Sequence, residues 1–449
     1  MGIAMIIYFT AYVWRRVGNP QHRIDGTVVA NTTEDWAYYY AGAKAMRDGK
    51  DIYQAEASGR GRAGYIYPPL LAFLYQPLTR LDFLTGARIS LLIDELAAAA
   101  ALAIAARGVL RAARVLPTWQ NVTIIAVAAA LLSSDKLKGE FQMLQCNGLV
   151  ALGIAVGLTF LDDITWLAGL ALGFAVNIKY QALGLVLYLI FRRRWKALNC
   201  TFLGIIGWAL LPALSIGIHQ DFIYLVKGFS GVLRLVGFTT GDDVANVEPI
   251  SVGYSVSITS AAAGVVEQNK LHISPFVIAG AVALLWLMVL AFSYHRRGIP
   301  LLRWPPSRRQ ASSPWALYTA LEWMAVVGAV LAFSPQTNSR HLLQTALINV
   351  LAVVLVAQCR QRARWWAVAA VILLWMGLNL PPGDRGLAVT RPVQTTLSPP
   401  TPPSRQITTW RGIGGPSWAI LVAMALLVYA GQSLAGPSQP AENSPSPGS

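Results

Sequence analysis

A chain of 449 residues that is 55% hydrophobic and 13% charged is too apolar for a water-soluble protein of its length and is expected to cross a membrane many times. Its formal charge of +15 would suit a nucleic-acid partner, but the lysines and arginines sit in short clumps between apolar runs, so no nucleic-acid binding is expected. Three cysteines, Cys146, Cys200 and Cys359, lie in or beside apolar segments without pairing or metal-ligand spacing, which argues against a disulfide framework or a zinc site.

In chain order, MGIAMIIYFTAYVWRR has an apolar stretch of signal-peptide length with neither a basic start nor a clear cleavage site. It reads as a short first span, residues 3–14, whose beginning the sequence leaves open. Further candidate spans lie near 86–106, 119–133, 144–161, 166–191, 198–217, 272–293, 315–333, 341–358, 366–380 and 416–434. Backbone satisfaction in lipid makes them helices. The run 166–191 is long for one span and is interrupted by Asn177, Lys179 and Gln181, so it divides into two short helices meeting at Lys179. About twelve crossings of an all-α polytopic membrane protein result. Alternation then brings four basic clumps to one face: Arg107, Arg111 and Arg114; Arg192, Arg193, Arg194 and Lys196; Arg296, Arg297, Arg303, Arg308 and Arg309; Arg360, Arg362 and Arg364. The positive-inside rule makes that face cytoplasmic; the Arg15–Arg16 pair falls on the wrong side and counts against the first span as drawn.

The outer face receives loops at about 15–85, about 218–271 and, Pro-rich, about 381–415; residues 1–434 form one transmembrane domain and 435–449 a disordered Pro/Ser-rich tail. Within the first loop, Trp36, Tyr39, Tyr40, Ala43 and Met46 recur at helical spacing before Gly49, predicting a helix along the membrane surface with its aromatics at headgroup depth. Asp35 in front of them reads as a helix start, since Thr32-x-x-Asp35 resembles a capping box; a carboxylate there also suits a general base. YPPLLAFLYQPLTRL, residues 67–81, is short and carries three prolines, as an interfacial or re-entrant helix would.

Lys179 either snorkels to the outer interface or binds an anion. Gln145 and Asn147 open a span, where their amides join helices or line a pocket. Arg340 and His341 begin another as interfacial anchors or an anion site. Asp162-Asp163 reads as a solvated cytoplasmic turn, and Asp242, Asp243 and Glu248 as a solvated outer loop. Asn31-Thr32-Thr33 is a glycosylation sequon only in a eukaryotic host.

Taken together, Asp35-Trp-Ala-Tyr-Tyr-Tyr, Tyr67-Pro68-Pro69-Leu70, Gln145-Cys146-Asn147, Ala168 to Gly173 running into Ile178-Lys179, Arg192-Arg193-Arg194-Trp195, and Ser334-Pro335 followed by His341-Leu342 resemble glycosyltransferase family 87. These are membrane enzymes of the GT-C class, among them mycobacterial polyprenol-phosphate-mannose-dependent mannosyltransferases. The resemblance covers roughly residues 30–360, with two departures: Leu144 stands where the family favours glycine, and QTNSR separates Pro335 from His341.

The resemblance implies a GT-C fold and inverting transfer of a hexose, mannose being the expected one, from a polyprenyl-phosphate donor to a hydroxyl of a glycolipid or glycan acceptor. The outer face of a bacterial plasma membrane is the implied place. Asp35 would be the general base, with Glu34 as the fallback if the register shifts by one. Lys179, Arg340 and His341 would meet the donor phosphate, while Tyr67, Pro68, Pro69, Gln145 and Asn147 would line the substrate pocket. No cofactor is required, and a divalent metal is left open. The competing class is a transporter or flippase of lipid-linked sugars, which would place its coupling groups near the midplane rather than in an outer loop. A non-enzymatic envelope scaffold is a third class.

Overall fold

A computed structural model describes residues 34–55, 65–235, 255–299, 314–379 and 409–435, with short stretches before residue 34 and around residue 250. A hairpin of two three-residue strands, β1 (His22–Ile24) and β2 (Thr27–Val29), precedes an all-helical body. The entry segment consists of α1 (Glu34–Arg47), α2 (Pro69–Tyr75) and a 3-10 turn over Gln76–Arg80. Then come α3 (Phe83–Ala112), α4 (Trp119–Leu132), α5 (Ser134–Met143), α6 (Asn147–Phe160), α7 (Thr165–Ile178), α8 (Leu183–Phe191), α9 (Trp195–Ala209) and α10 (Ala213–Ile216). The helices α11 (Ile218–Leu235) and α12 (Ile258–Gln268) follow, then α13 (Pro275–Arg296), α14 (Pro314–Phe333), α15 (Thr345–Gln358), α16 (Gln361–Asn379) and α17 (Gly415–Ala435).

Among the described residues six helical stretches are long and apolar enough to cross a membrane, beginning at Phe83, Trp195, Pro275, Trp315, His341 and Gly415; the shorter apolar helices 119–132, 147–160, 165–178 and 180–191 lie between them. The chain is an integral membrane protein. Every expected span coincides with a helix except 3–14, where only Ala11 and Trp14 are described. The tail, the Asp242–Glu248 cluster, Thr32 with its capping pattern, and most of the Pro-rich loop lie outside the described residues.

Local chemistry sets the helix ends. The Asp82 carboxylate accepts hydrogen bonds from the amides of Leu84 and Thr85, starting α3, and Thr118 accepts from Asn121 N to start α4. In α7 and α9 small residues admit close backbone approach: a Cβ at Gly173 would come within 2.3 Å of the Gly204 carbonyl carbon.

At the end of the bundle that carries the basic clumps, Arg194 pairs with Asp162 and Arg111 lies 3.6 Å from Asp163. The turn is solvated as expected, both acids being exposed, and it also joins two of those clumps, because an arginine from each finds an acid in it. Deeper in the bundle, Arg192 Nε donates to Glu322 Oε2 at 2.8 Å, and Tyr188 donates to the same oxygen at 3.1 Å, tying α8 to α14.

The first-loop helix forms where the aromatic spacing predicts it, but its rings do not face headgroups. Trp36, Tyr39, Ala43 and Met46 are buried in the main core. Trp36 donates from Nε1 to the Phe83 carbonyl at 3.1 Å and packs edge-on against Tyr75. The reason is the stretch 67–81: it forms a short helix and a 3-10 turn, as expected of a non-crossing segment, and folds back to cover the aromatic face of α1. Helix α11 also returns to this entry. Tyr53 donates to the Tyr224 carbonyl at 3.1 Å, and Lys227 pairs with Asp51 at 2.8 Å.

Candidate functional site

The site forms where three chain breaks meet. Lys179 is the first. It stands in extended conformation between the end of α7 and the 3-10 turn Tyr180–Ala182, as the division of the 166–191 run predicts. An ammonium there does not snorkel. Lys179 is only 4% exposed, because its Nζ donates to Gln145 Oε1 and Asn147 Oδ1, both at 2.8 Å, and lies 5.0 Å from the centre of the Tyr67 ring. Two amide oxygens and an aromatic face replace part of its hydration shell. Two of its three N–H donors are thereby engaged, and the structure records no hydrogen bond from the third among the described residues.

The second break is the turn from α5 into α6. Leu144 adopts the left-handed conformation with φ 51° and ψ 51°, ending α5 and reversing the chain into Gln145 and Cys146. This explains why a glycine suits the position: a Cβ is disfavoured there. Leucine is accommodated because its side chain is buried, at 1% exposure. The turn lets Glu140, on the last part of α5, reach the start of α6. Glu140 Oε1 accepts from Asn147 N at 2.7 Å and Oε2 from Asn147 Nδ2 at 2.8 Å. Asp94, on α3, accepts from Gly148 N at 2.9 Å. Two carboxylates thus hold the orphan amides at the N-terminus of α6.

The third break is the entry segment. Asp35 is the second residue of α1 and is 9% exposed. Its charge acts on Tyr39, Tyr67, Glu140 and Lys179, which places it in the same electrostatic cluster. The rings of Tyr39 and Tyr67 meet edge to face at 5.3 Å, and the Tyr39 hydroxyl lies 3.4 Å from Gln145 Oε1. Pro68 and Pro69 contribute by shape: Pro69 opens α2 at its first turn and the Pro68 carbonyl accepts from the Tyr65 hydroxyl at 2.6 Å, so the prolines aim Tyr67 inward. Burial raises the Tyr67 phenol above its usual range, and Lys179 draws it part of the way back. Burial likewise pushes the Glu140 carboxyl up to about 7, against the pull of Lys179 and Asn147.

Of the residues singled out from sequence, Asp35, Tyr67, Gln145, Asn147 and Lys179 converge. The Glu34 and Arg340 side chains lie outside the described residues. His341 sits in the 3-10 turn Ser339–Gln344, where its Nδ1 accepts from Asn338 N at 3.3 Å; that turn packs against α5 and α6, beside the cluster. Sequence reasoning missed Tyr39, Glu140 and Asp94 as members of the site. The signal was present for Asp94, an acid inside the apolar run ISLLIDELAAAA, and for Glu140, five residues ahead of Gln145. Among the described residues no group of three or more His, Cys, Asp or Glu is arranged to hold a metal ion.

Known proteins share this chain's sequence pattern. A relative from Mycolicibacterium smegmatis (strain ATCC 700084 / mc(2)155), a polyprenol-phosphate-mannose-dependent alpha-(1-2)-phosphatidylinositol mannoside mannosyltransferase, is 24% identical over 439 residues, spanning 92% of this chain and 85% of its own. Two crystal structures of ArnT from Cupriavidus metallidurans, one bound to undecaprenyl phosphate and one in the apo state, align at 13% and 14% identity with TM-scores of 0.36 and 0.35. Each alignment covers 96% of this chain and 77% of that one, a likeness too weak to carry a structural argument. Residues 65–304, which contain Tyr67, Asp94, Glu140, Gln145, Asn147 and Lys179, match the model of glycosyltransferase family 87, and the chain belongs to that family.

Proposed function

We propose that this membrane glycosyltransferase moves mannose from a polyprenyl-phosphate carrier to a hydroxyl of a glycolipid or glycan acceptor, with inversion, at the outer face of a bacterial plasma membrane. The relative's polyprenol-phosphate-mannose dependence supports the donor class. The observation that carries the reading is one buried acid and one buried cation in a single cluster: Asp35 stands one turn before Tyr39, whose hydroxyl lies 3.4 Å from Gln145 Oε1, the oxygen that accepts from Lys179, and an N–H of Lys179 is not engaged by the amides that hold it.

In this reading the acceptor hydroxyl attacks the anomeric carbon as Asp35 takes its proton. The new carbon–oxygen bond forms opposite the bond to the carrier phosphate, which breaks and leaves its electron pair on the phosphate oxygen. That oxygen gains charge in the transition state, and the remaining Lys179 donor is held for it with no reorganisation, because Gln145 and Asn147 fix the ammonium beforehand. Arg340 is proposed as a further cation, and His341, its Nδ1 accepting from Asn338 N, would offer an Nε2–H from the turn that packs against α5 and α6. No cofactor enters the scheme, since a monophosphate leaving group is met by side-chain cations.

The test is transfer of radiolabelled mannose from the polyprenyl-phosphate donor into lipid and glycan fractions, comparing the native protein with Asp35→Asn at matched expression. Loss of about 10²-fold or more on substitution is expected of a general base. Full activity in Asp35→Asn would remove Asp35 from the chemistry. Movement of the donor between leaflets without transfer would instead favour a transporter.

A further inference from the structure

The Asn147 amide is useful to Lys179 only in one orientation. Turned by half a rotation it would present Nδ2, a donor, to an ammonium that has only donors. Something must therefore hold it, and the structure provides a group that can. Glu140 is acceptor-only when ionised, and it takes both the backbone N–H and the Nδ2–H of Asn147 at 2.7 and 2.8 Å. With Nδ2 committed there, Oδ1 must face Lys179, where it lies 2.8 Å from Nζ.

We propose that Glu140 is a positioning residue of this enzyme: by gripping Asn147 at two hydrogens it sets the amide so that its oxygen aims the Lys179 ammonium at the donor phosphate. The inference rests on the proposed role of Lys179. Glu140 touches no substrate in this scheme; it acts through Asn147. Its grip needs the carboxylate form, since a proton on either oxygen removes an acceptor from Asn147. The titratable groups around it are Lys179, Asp35, Asp94, Tyr75 and Cys146, with His341 in the turn packed on α5. Lys179 favours the ionised form, while burial and the charge of Asp35 oppose it, leaving Glu140 titrating near neutrality.

The experiment exchanges the amide and the carboxylate. Glu140→Gln leaves one oxygen for Asn147 N but sets its Nε2 against Nδ2, donor to donor, so the grip fails. Adding Asn147→Asp restores it with reversed polarity: the introduced glutamine amide donates to one oxygen of the introduced aspartate, whose other oxygen accepts from Lys179, with the total charge unchanged. Full-length protein in detergent is assayed for mannose transfer with donor and acceptor varied separately. Glu140→Gln is expected to lower kcat/KM for the donor by about 10- to 100-fold, the scale of a charge-assisted hydrogen bond, with the acceptor KM unchanged. The exchange variant is expected to recover most of that loss. The activity of the native enzyme should fall below about pH 7, and Glu140→Gln should lack that limb. Equal losses on the donor and acceptor sides, or no recovery in a folded exchange variant, would overturn the proposal.

Two further measurements keep the idea exposed if the exchange variant misfolds or the donor is wrong. Asn147→Ala should match Glu140→Gln in donor kcat/KM, and the two together should add little, because both remove one contact; additive losses contradict it. Thermal melting needs no substrate. The exchange variant should melt above Glu140→Gln, because it restores the hydrogen-bond direction without adding charge relative to native, so absence of transfer by the native protein would sink the donor reading while equal melting of the two variants would overturn the hydrogen-bond assignment.

Discussion

Lys179→Met tests the centre of the site most directly, because methionine keeps an unbranched chain of similar length and deletes only the charge and its donors. The native ammonium makes two hydrogen bonds at 2.8 Å to Gln145 and Asn147 and stands over the Tyr67 ring. Its loss leaves two buried amide oxygens without that donor and removes the positive charge that faces Glu140 and Asp35. Removing one member of a buried charge set costs about 3–5 kcal/mol, so the variant should melt several degrees lower. The chemical step should suffer as well. A preorganised donor to a developing oxyanion is worth about 2.7–4 kcal/mol, which is about 10²–10³ in kcat. The assay is mannose transfer under saturating donor, with folded protein quantified by size-exclusion chromatography in detergent. A variant that stays folded and keeps kcat within about threefold of native would show that Lys179 is a structural cation and that the phosphate is met elsewhere.

The other expectations are smaller and separable. Gly173→Ala places a methyl 2.3 Å from the Gly204 backbone, so α7 and α9 must part; a loss of about 1–3 kcal/mol is expected in melting experiments. Leu144→Gly sets two effects against each other: release from the left-handed conformation gains about 1–2 kcal/mol, and the loss of a buried leucine costs about 1.5–3 kcal/mol. Burial should win by about 1 kcal/mol, read as a modest fall in melting temperature, and a rise would mean that backbone strain dominates the turn. The pH behaviour of Glu140 carries a sign that separates activity from stability. Its folded pKa is raised by burial to about 7 from the usual 4.5, so between those values the folded state binds more protons and this group's contribution to stability increases as pH falls. Activity should fall over the same interval, which makes acid inactivation without acid unfolding the expected result, checked by parallel transfer and melting series.

Hydropathy and the clumping of arginines were enough to define the class of this protein. Segments of apolar residues must become helices in lipid, and basic residues are expected on one side, so the spans and an expected orientation follow from composition along the chain. The interruption at Lys179 was legible for the same reason: a charge inside an apolar run demands a break or a partner. Tertiary structure decided what covered each polar or aromatic face. The stripe Trp36, Tyr39, Ala43, Met46 has one pattern whether lipid or protein lies against it, and only the fold-back of residues 67–81 made it core. The α5–α6 turn at Leu144 decided that Glu140 meets Asn147, and the packing of α3 on α6 decided that Asp94 meets Gly148, 54 positions along the chain. Periodicity reports the environment of a side chain along its own helix; which partner neutralises a buried charge depends on contacts between segments, and those exist only once the helices have packed.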